Sequence, residues 1–244
     1  MVKQTINNQT QWDKYINSLN DRDGFKVIPE GDEIIIKTNI IISHNMRCKG
    51  TITNNKGGTI TNDNKIENYK TINNDGNITN NKGGTIYIDL LSGTINNYGT
   101  INNDGTINSI GTINNYGTIT NNGTITNNEL STITNNSTIN NDSTINNDGN
   151  ITNNSIINNY HTIKNDGTIE NGGVIEIKQG SINGKPIKNT GNPLGTVLDH
   201  NRVQQLEKQL AERDLFTKAM IGSWQQEKEY LIKIIKEVIG DKTK

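Results

Sequence analysis

The residues able to do chemistry are thinly spread. The acidic side chains of the middle of the chain include Glu67, Asp75, Asp104, Glu129, Asp142, Asp148, Asp166, Glu170 and Glu176. Two facing carboxylates would serve acid–base work, as in polysaccharide cleavage. Asp148 and Asp166 stand eighteen residues apart, so a coil of that length would stack them, as a cation-holding pair or as a solvated edge. No long irregular loop breaks the surrounding pattern to build a groove, so catalysis is not expected. His44, His161 and His200 show no ligand spacing, and Cys48 is the only cysteine. That excludes a disulfide framework and a Cys-based zinc site; no metal or cofactor is expected. Tyr69, Tyr98, Tyr116 and Tyr160 occupy one place in the repeat, just past its Asn. Tyr98 and Tyr116, eighteen apart, are candidate surface-binding residues: they suit glycan contact or a stack on one another.

What must position these residues is a six-residue beat, Gly-Thr-Ile-Asn-Asn-x. Ile95, Ile101, Ile107, Ile113, Ile119 and Ile125 keep it without interruption, and it resumes from Ile133 to Ile175. A fixed short period is the signature of a repeat array. Gly-Thr-Ile alternates as a strand does, with Thr outward and Ile inward. The Asn-Asn-x that follows is turn chemistry, because Asn tolerates the left-handed region and bonds its own backbone. So short a unit has no room for hairpin arms. It fits one side of an all-β, single-stranded parallel β-helix, with about eighteen residues per coil, Ile on Ile and Asn on Asn. Roughly twenty hexads give about seven coils, on the order of 33 Å of rod. The slips Lys56-Gly57-Gly58, Lys82-Gly83-Gly84 and Glu129-Leu130-Ser131 fall between beats, where a corner can bulge. A small residue before Thr-Ile suits left-handed hexapeptide coils and the general pattern suits right-handed ones; the hexad leaves handedness open.

Both ends break the beat. Trp12, Tyr15, Ile16 and Leu19 fall at helical spacing, an amphipathic capping helix over 10–20 with Thr10 as its N-cap. Such a cap covers the open end of a solenoid and blocks end-to-end growth. The divisions expected are 1–26 with the capping helix, 27–190 as β-helix, 191–200 as linker and 201–244 as a helical oligomerisation or docking segment. In that last segment Asn201 and Gln204 form a capping box and Gly240 a stop. Val203, Leu206, Leu210, Met220, Trp224, Leu231, Ile234 and Val238 fall on a coiled-coil heptad, with Arg213 and Glu227 as misfits. The width of the apolar face favours a homotrimer over a dimer. Gly222-Ser223 leaves open a hairpin of two helices docking on another protein.

Only 30% of the chain is hydrophobic, yet an Ile on every beat separates it from a disordered sequence. Net charge of −1 gives no case for nucleic acid or an anionic membrane. No apolar run has membrane-spanning length, and the first residues lack a signal-peptide core; the expectation is synthesis in the cytoplasm without a signal peptide. Thr-Ile-Thr at 118–120, 124–126 and 132–134 falls on consecutive hexads, so three faces share it and no ice-binding Thr rank forms.

The Gly-Thr-Ile-Asn-Asn run from about 94 to 170 resembles the Asn/Ile-rich repeat proteins of giant DNA viruses and the β-helical fibres and adhesins of phages and bacteria. The likeness covers roughly 51–182. It implies a particle-attached, trimeric structural protein on a virion surface, whose partners are further copies, capsid or other particle proteins, and glycans. The hexad is also similar to that of the bactofilins, which implies intracellular filament assembly, although a cap helix and a long C-terminal helix depart from their free ends.

Overall fold

A computed structural model of the chain describes residues 2–90, 92–190 and 196–240. It divides into two compact units, a solenoid through Asp199 and a helical segment from His200. The solenoid is a parallel β-helix with three faces of ten, nine and ten strands. Face one runs from Lys3–Ile6 to Lys188–Asn189, face two from Asn39–Ile42 to Thr196–Asp199, and face three from Asp21–Arg22 to Ser181–Gly184. About nine coils stack, more than the hexads alone imply, because the denser strands Phe25–Ile28, Glu33–Ile36 and Asn39–Ile42 join the same sheets. At about 4.8 Å per coil the stack is about 40 Å long.

Register is strict. Ile72 pairs with Ile95, Ile95 with Ile113 and Ile113 with Ile133, so identical side chains line the interior. Stacked residues are eighteen apart where the beat is unbroken and twenty or twenty-three where a slip intervenes. The strand frame differs from the expected one. Each repeat strand is Thr-Ile-Asn-Asn, as at Thr94–Asn97, and only its second and fourth residues are buried. The alternation therefore runs two residues further than β-propensity suggests, and the second Asn points inward instead of turning the corner. Burial there outweighs the low strand propensity of Asn. No Asn among the described residues has positive φ.

That inward Asn forms ladders. On face one Asn54, Asn74, Asn97, Asn115, Asn135, Asn153 and Asn171 each donate a side-chain N–H to the Oδ1 of the Asn one coil on, at 2.7–3.2 Å. Face two repeats this from Asn62 to Asn159. Face three does so only from Asn127 to Asn165, because Ile88 and Ser109 hold the equivalent positions below. Each amide also closes the corner: Asn97 Nδ2 lies 3.1 Å from Thr118 O and 3.2 Å from Gly99 O. Corner N–H groups complete the pairing, Tyr98 and Gly99 both donating to Asn74 O. The corner's polar groups thus find partners without water, as a buried backbone requires.

The slips occupy corners as expected. In each, an N–H closes on a carbonyl three residues back: Gly58 on Asn55, Gly84 on Asn81 and Ser131 on Asn128. The residue before the closing one is in the left-handed region, Gly57 (φ 89°), Gly83 (φ 90°) and Leu130 (φ 66°).

At the N-terminus helix α1 spans Gln9–Ser18. Its cap is Asn8, whose Oδ1 accepts from Gln11 N at 2.9 Å; Thr10, expected as the cap, lies inside the helix. Helix α2 spans His200–Gly240 without a break. It therefore passes through Gly222-Ser223, where a hairpin was open, and begins one residue before the expected capping Asn201. Residues 196–199, placed in a linker by the sequence, instead extend face two, pairing with Val174–Ile177; residues 191–195 lie outside those described.

Candidate functional site

The capping residues converge on the open end. Trp12 and Ile16 are buried and join the Ile core, while Tyr15 and Leu19 pack partly buried against it. Helix α1 takes the place a strand would hold beneath Asn39–Ile42. Gln9 supplies what such a strand would give: its Oε1 accepts from Ile41 N at 2.8 Å and its Nε2 donates to Ile41 O at 3.3 Å. One side-chain amide thereby occupies both edge groups of that residue, which would otherwise template pairing. On face three the edge strand Phe25–Ile28 is covered by Asp21–Arg22, antiparallel to it. The Tyr15 hydroxyl is buried without a hydrogen-bond partner. Burial, and then the negative charge of Asp32, push its pKa up, and burial does the same to the Cys48 thiol. These are packing groups with no poised proton.

Tyr98 and Tyr116 stack on one another, centroids 4.9 Å apart and planes 8° from parallel. They remain 56% and 47% exposed, but each ring spends one face on the other, so the pair offers a narrow platform. Asp148 and Asp166 do lie on adjacent coils, at the corner after face three. Lys164 bonds Asp166 at 2.9 Å, and its pKa is raised first by that hydrogen bond and charge, with Asp148 adding to it. An ammonium thus already supplies the positive charge a cation would bring. Among the described residues no group of three or more His, Cys, Asp or Glu side chains is placed to hold a metal.

The densest chemistry lies where the sequence reading missed it, on the outer side of face three in the first coils. Arg47 Nε donates to Glu67 Oε2 at 2.7 Å and Lys65 Nζ meets Glu67 Oε1 at 2.8 Å. The Arg47 guanidinium lies 4.5 Å from the centroid of Phe25 and 5.9 Å from that of Tyr69, and Lys65 Nζ is 5.5 Å from Phe25. Burial pushes the Glu67 pKa up, but hydrogen bonds from Lys65 and Arg47 outweigh it and hold the carboxyl below its ordinary value. Tyr87, one coil on, is pushed up by burial and by the charges of Asp89, Tyr69 and Glu67. A carboxylate so fully paired cannot act as a general acid near neutrality; the group instead staples the Phe25 strand to the coils above. The signal that finds it is a spacing of twenty: Val27, Arg47, Glu67 and Tyr87 are register partners in successive coils.

On α2, Val203, Leu206, Leu210, Met220, Trp224 and Leu231 are exposed. Phe216, Met220, Ile221 and Trp224 line one open apolar face with Gln225 and Lys228. The side chains of Ile234 and Val238 lie outside the described residues. No described helix is long and apolar enough to cross a membrane. Comparisons with protein-family models, with curated proteins and with solved structures find no match to this chain.

Proposed function

We propose that this chain is a non-enzymatic structural protein: a rigid β-helical rod, held with further copies of itself through α2 and exposed on a virion or similar particle for attachment or decoration. The observation that carries the reading is the contrast between a solenoid whose stacked Ile ranks are buried and a helix whose described large apolar side chains, from Val203 to Leu231, are exposed. An exposed apolar face of that extent marks an interaction surface. Rigidity supports it as well, since the Ile stacks and Asn ladders run coil to coil. The outward Thr and Asn ranks form a hydrated surface suited to particle proteins or glycans as neighbours. The alternative, an intracellular filament grown end to end, needs free coil edges; the Gln9 clasp on Ile41 weighs against it.

Two measurements test the proposal. Full-length protein in light scattering is expected to exceed monomer mass, and a chain ending at Asp199 to run as a soluble monomer; a monomeric full-length chain overturns self-association. The truncation belongs after Asp199 because Thr196–Asp199 completes face two. Mass spectrometry is expected to find the protein in purified particles, and confinement to host cytoplasm would favour the filament reading.

A further inference from the structure

We infer that α2 joins two copies of this chain antiparallel, in a register that sets Arg213 of one helix beside Trp224 and Glu227 of the other. The inference rests on the self-association proposed above and specifies its direction. The exposed residues Val203, Leu206, Leu210, Met220, Trp224 and Leu231 mark one seam along α2. Arg213 and Glu227 occupy the same seam at heptad positions that a coiled coil fills with apolar residues.

A parallel, in-register coil sets every seam residue against its own copy. It would place Arg213 on Arg213 and Glu227 on Glu227, in two like-charge layers, and three-fold association would put three charges in each. The two layers cannot relieve one another, being two heptads, or about 21 Å, apart along the axis. In an antiparallel coil, a positions instead meet d positions of the partner. The register that seats Leu206 on the partner's Leu231 also seats Leu210 on the partner's Glu227 and Arg213 on the partner's Trp224. The guanidinium then lies over an indole face, the most favourable cation–π pairing. The partner's Glu227 is three residues beyond that Trp, about 4.5 Å along the axis, within reach of the same guanidinium. Two-fold symmetry makes each contact twice, so one choice of direction sets an opposite charge, in place of a like one, beside each of the two residues. The aliphatic stems of Arg213 and Glu227 cover the seam while their heads reach its rim. The proposal is of two strands where the width of the apolar face suggests three.

The test uses the full chain. Leu206→Cys and Leu231→Cys proteins are oxidised separately and mixed; Cys48 is fully buried, and the unsubstituted protein is the control. The mixture is expected to give disulfide-linked dimers at least about tenfold above either protein alone. Self-linked Leu206→Cys dimers would overturn the antiparallel register while leaving self-association standing. A monomer in light scattering would overturn both. Arg213→Glu is expected to weaken the dimer at least about tenfold, and Arg213→Glu with Glu227→Arg to restore it to within about threefold. A double variant no tighter than the single one overturns the pairing.

Discussion

At the inward position that closes face one, the early coil carries Ile36 and the coils above it carry Asn54, Asn74 and onward to Asn171. Faces two and three make the same change, from Ile42 to Asn62 and from Cys48 to Asn68. The outer surface inverts the contrast. The early coils bear the Arg47–Glu67–Lys65 cluster, whereas the middle coils of the repeat bear neutral side chains on their faces such as Asn96 and Asn114, bonded at 3.0 Å. An apolar rung asks only volume of its neighbours. Within a run each Asn finds its donor below and its acceptor above, whereas Asn68, between Cys48 and Ile88, pairs with backbone instead, its Oδ1 accepting from Lys70 N at 3.3 Å and its Nδ2 donating to Thr94 O at 2.9 Å. Asn54 shows the cost of the change-over: its Oδ1 is buried with no partner, since the Ile36 side chain beneath it has no N–H to give.

The largest loss is expected from Asn115→Asp. Asn115 is fully buried; its amide donates toward Asn135 Oδ1, Thr138 O and Gly117 O and accepts from Asn97. A carboxylate there would face three acceptors across a dry corner, and the expected result is loss of cooperative unfolding at neutral pH, or at least about 4 kcal/mol. Leucine sharpens the same point. Asn115→Leu removes a partner from both neighbours and is expected to cost about 3 kcal/mol, against about 1–2 kcal/mol for Asn54→Leu, which has Ile36 below it already. Urea melts followed by circular dichroism would measure both, and equal losses would show that the ladder has no cooperativity.

The outer half of the contrast predicts a smaller, pH-dependent effect. Because Glu67 has a folded pKa below the ordinary 4.5, its stabilisation is full above that value and is lost as pH falls through the folded one. Glu67→Gln is expected to cost about 1–2 kcal/mol at neutral pH. The gap to the unsubstituted protein should close in acid. A gap that persisted at low pH would mean that packing on Phe25 and Tyr69, not charge, holds the staple.

The solenoid was legible because Ile at every sixth residue leaves few other places to bury it, and Trp12 and Ile16 announced the cap by helical spacing. The inward Asn was not legible: its strand propensity is poor, and its role depends on a neighbour eighteen residues away that appears only once register is known. The same holds for Arg47 and Glu67, which read as isolated surface charges until coils of twenty bring them together. Helical periodicity alone points to Thr10 as the cap, whereas the chain enters α1 from a strand that ends at Ile6 and leaves Asn8 extended (φ −159°, ψ 165°) at the cap.

The smallest expected effect compares the slips with one another. Gly57 and Gly83 take the left-handed region without steric cost, but Leu130 holds φ 66° with a side chain 80% exposed. A β-carbon in that region is disfavoured by about 1–2 kcal/mol, and the Leu130 side chain recovers little of it by burial. The turn it sits in is also the looser one, its closing bond 3.1 Å against 2.8 Å at Gly58 and Gly84. Leu130→Gly is therefore expected to stabilise the protein by about 0.5–1 kcal/mol, after the greater freedom glycine gives the unfolded chain is subtracted. Thermal melting of dilute protein would read this as a modest rise in Tm. A fall instead would mean that Leu130 buries itself against another copy, and the loss should then deepen with protein concentration, because association stabilises by mass action.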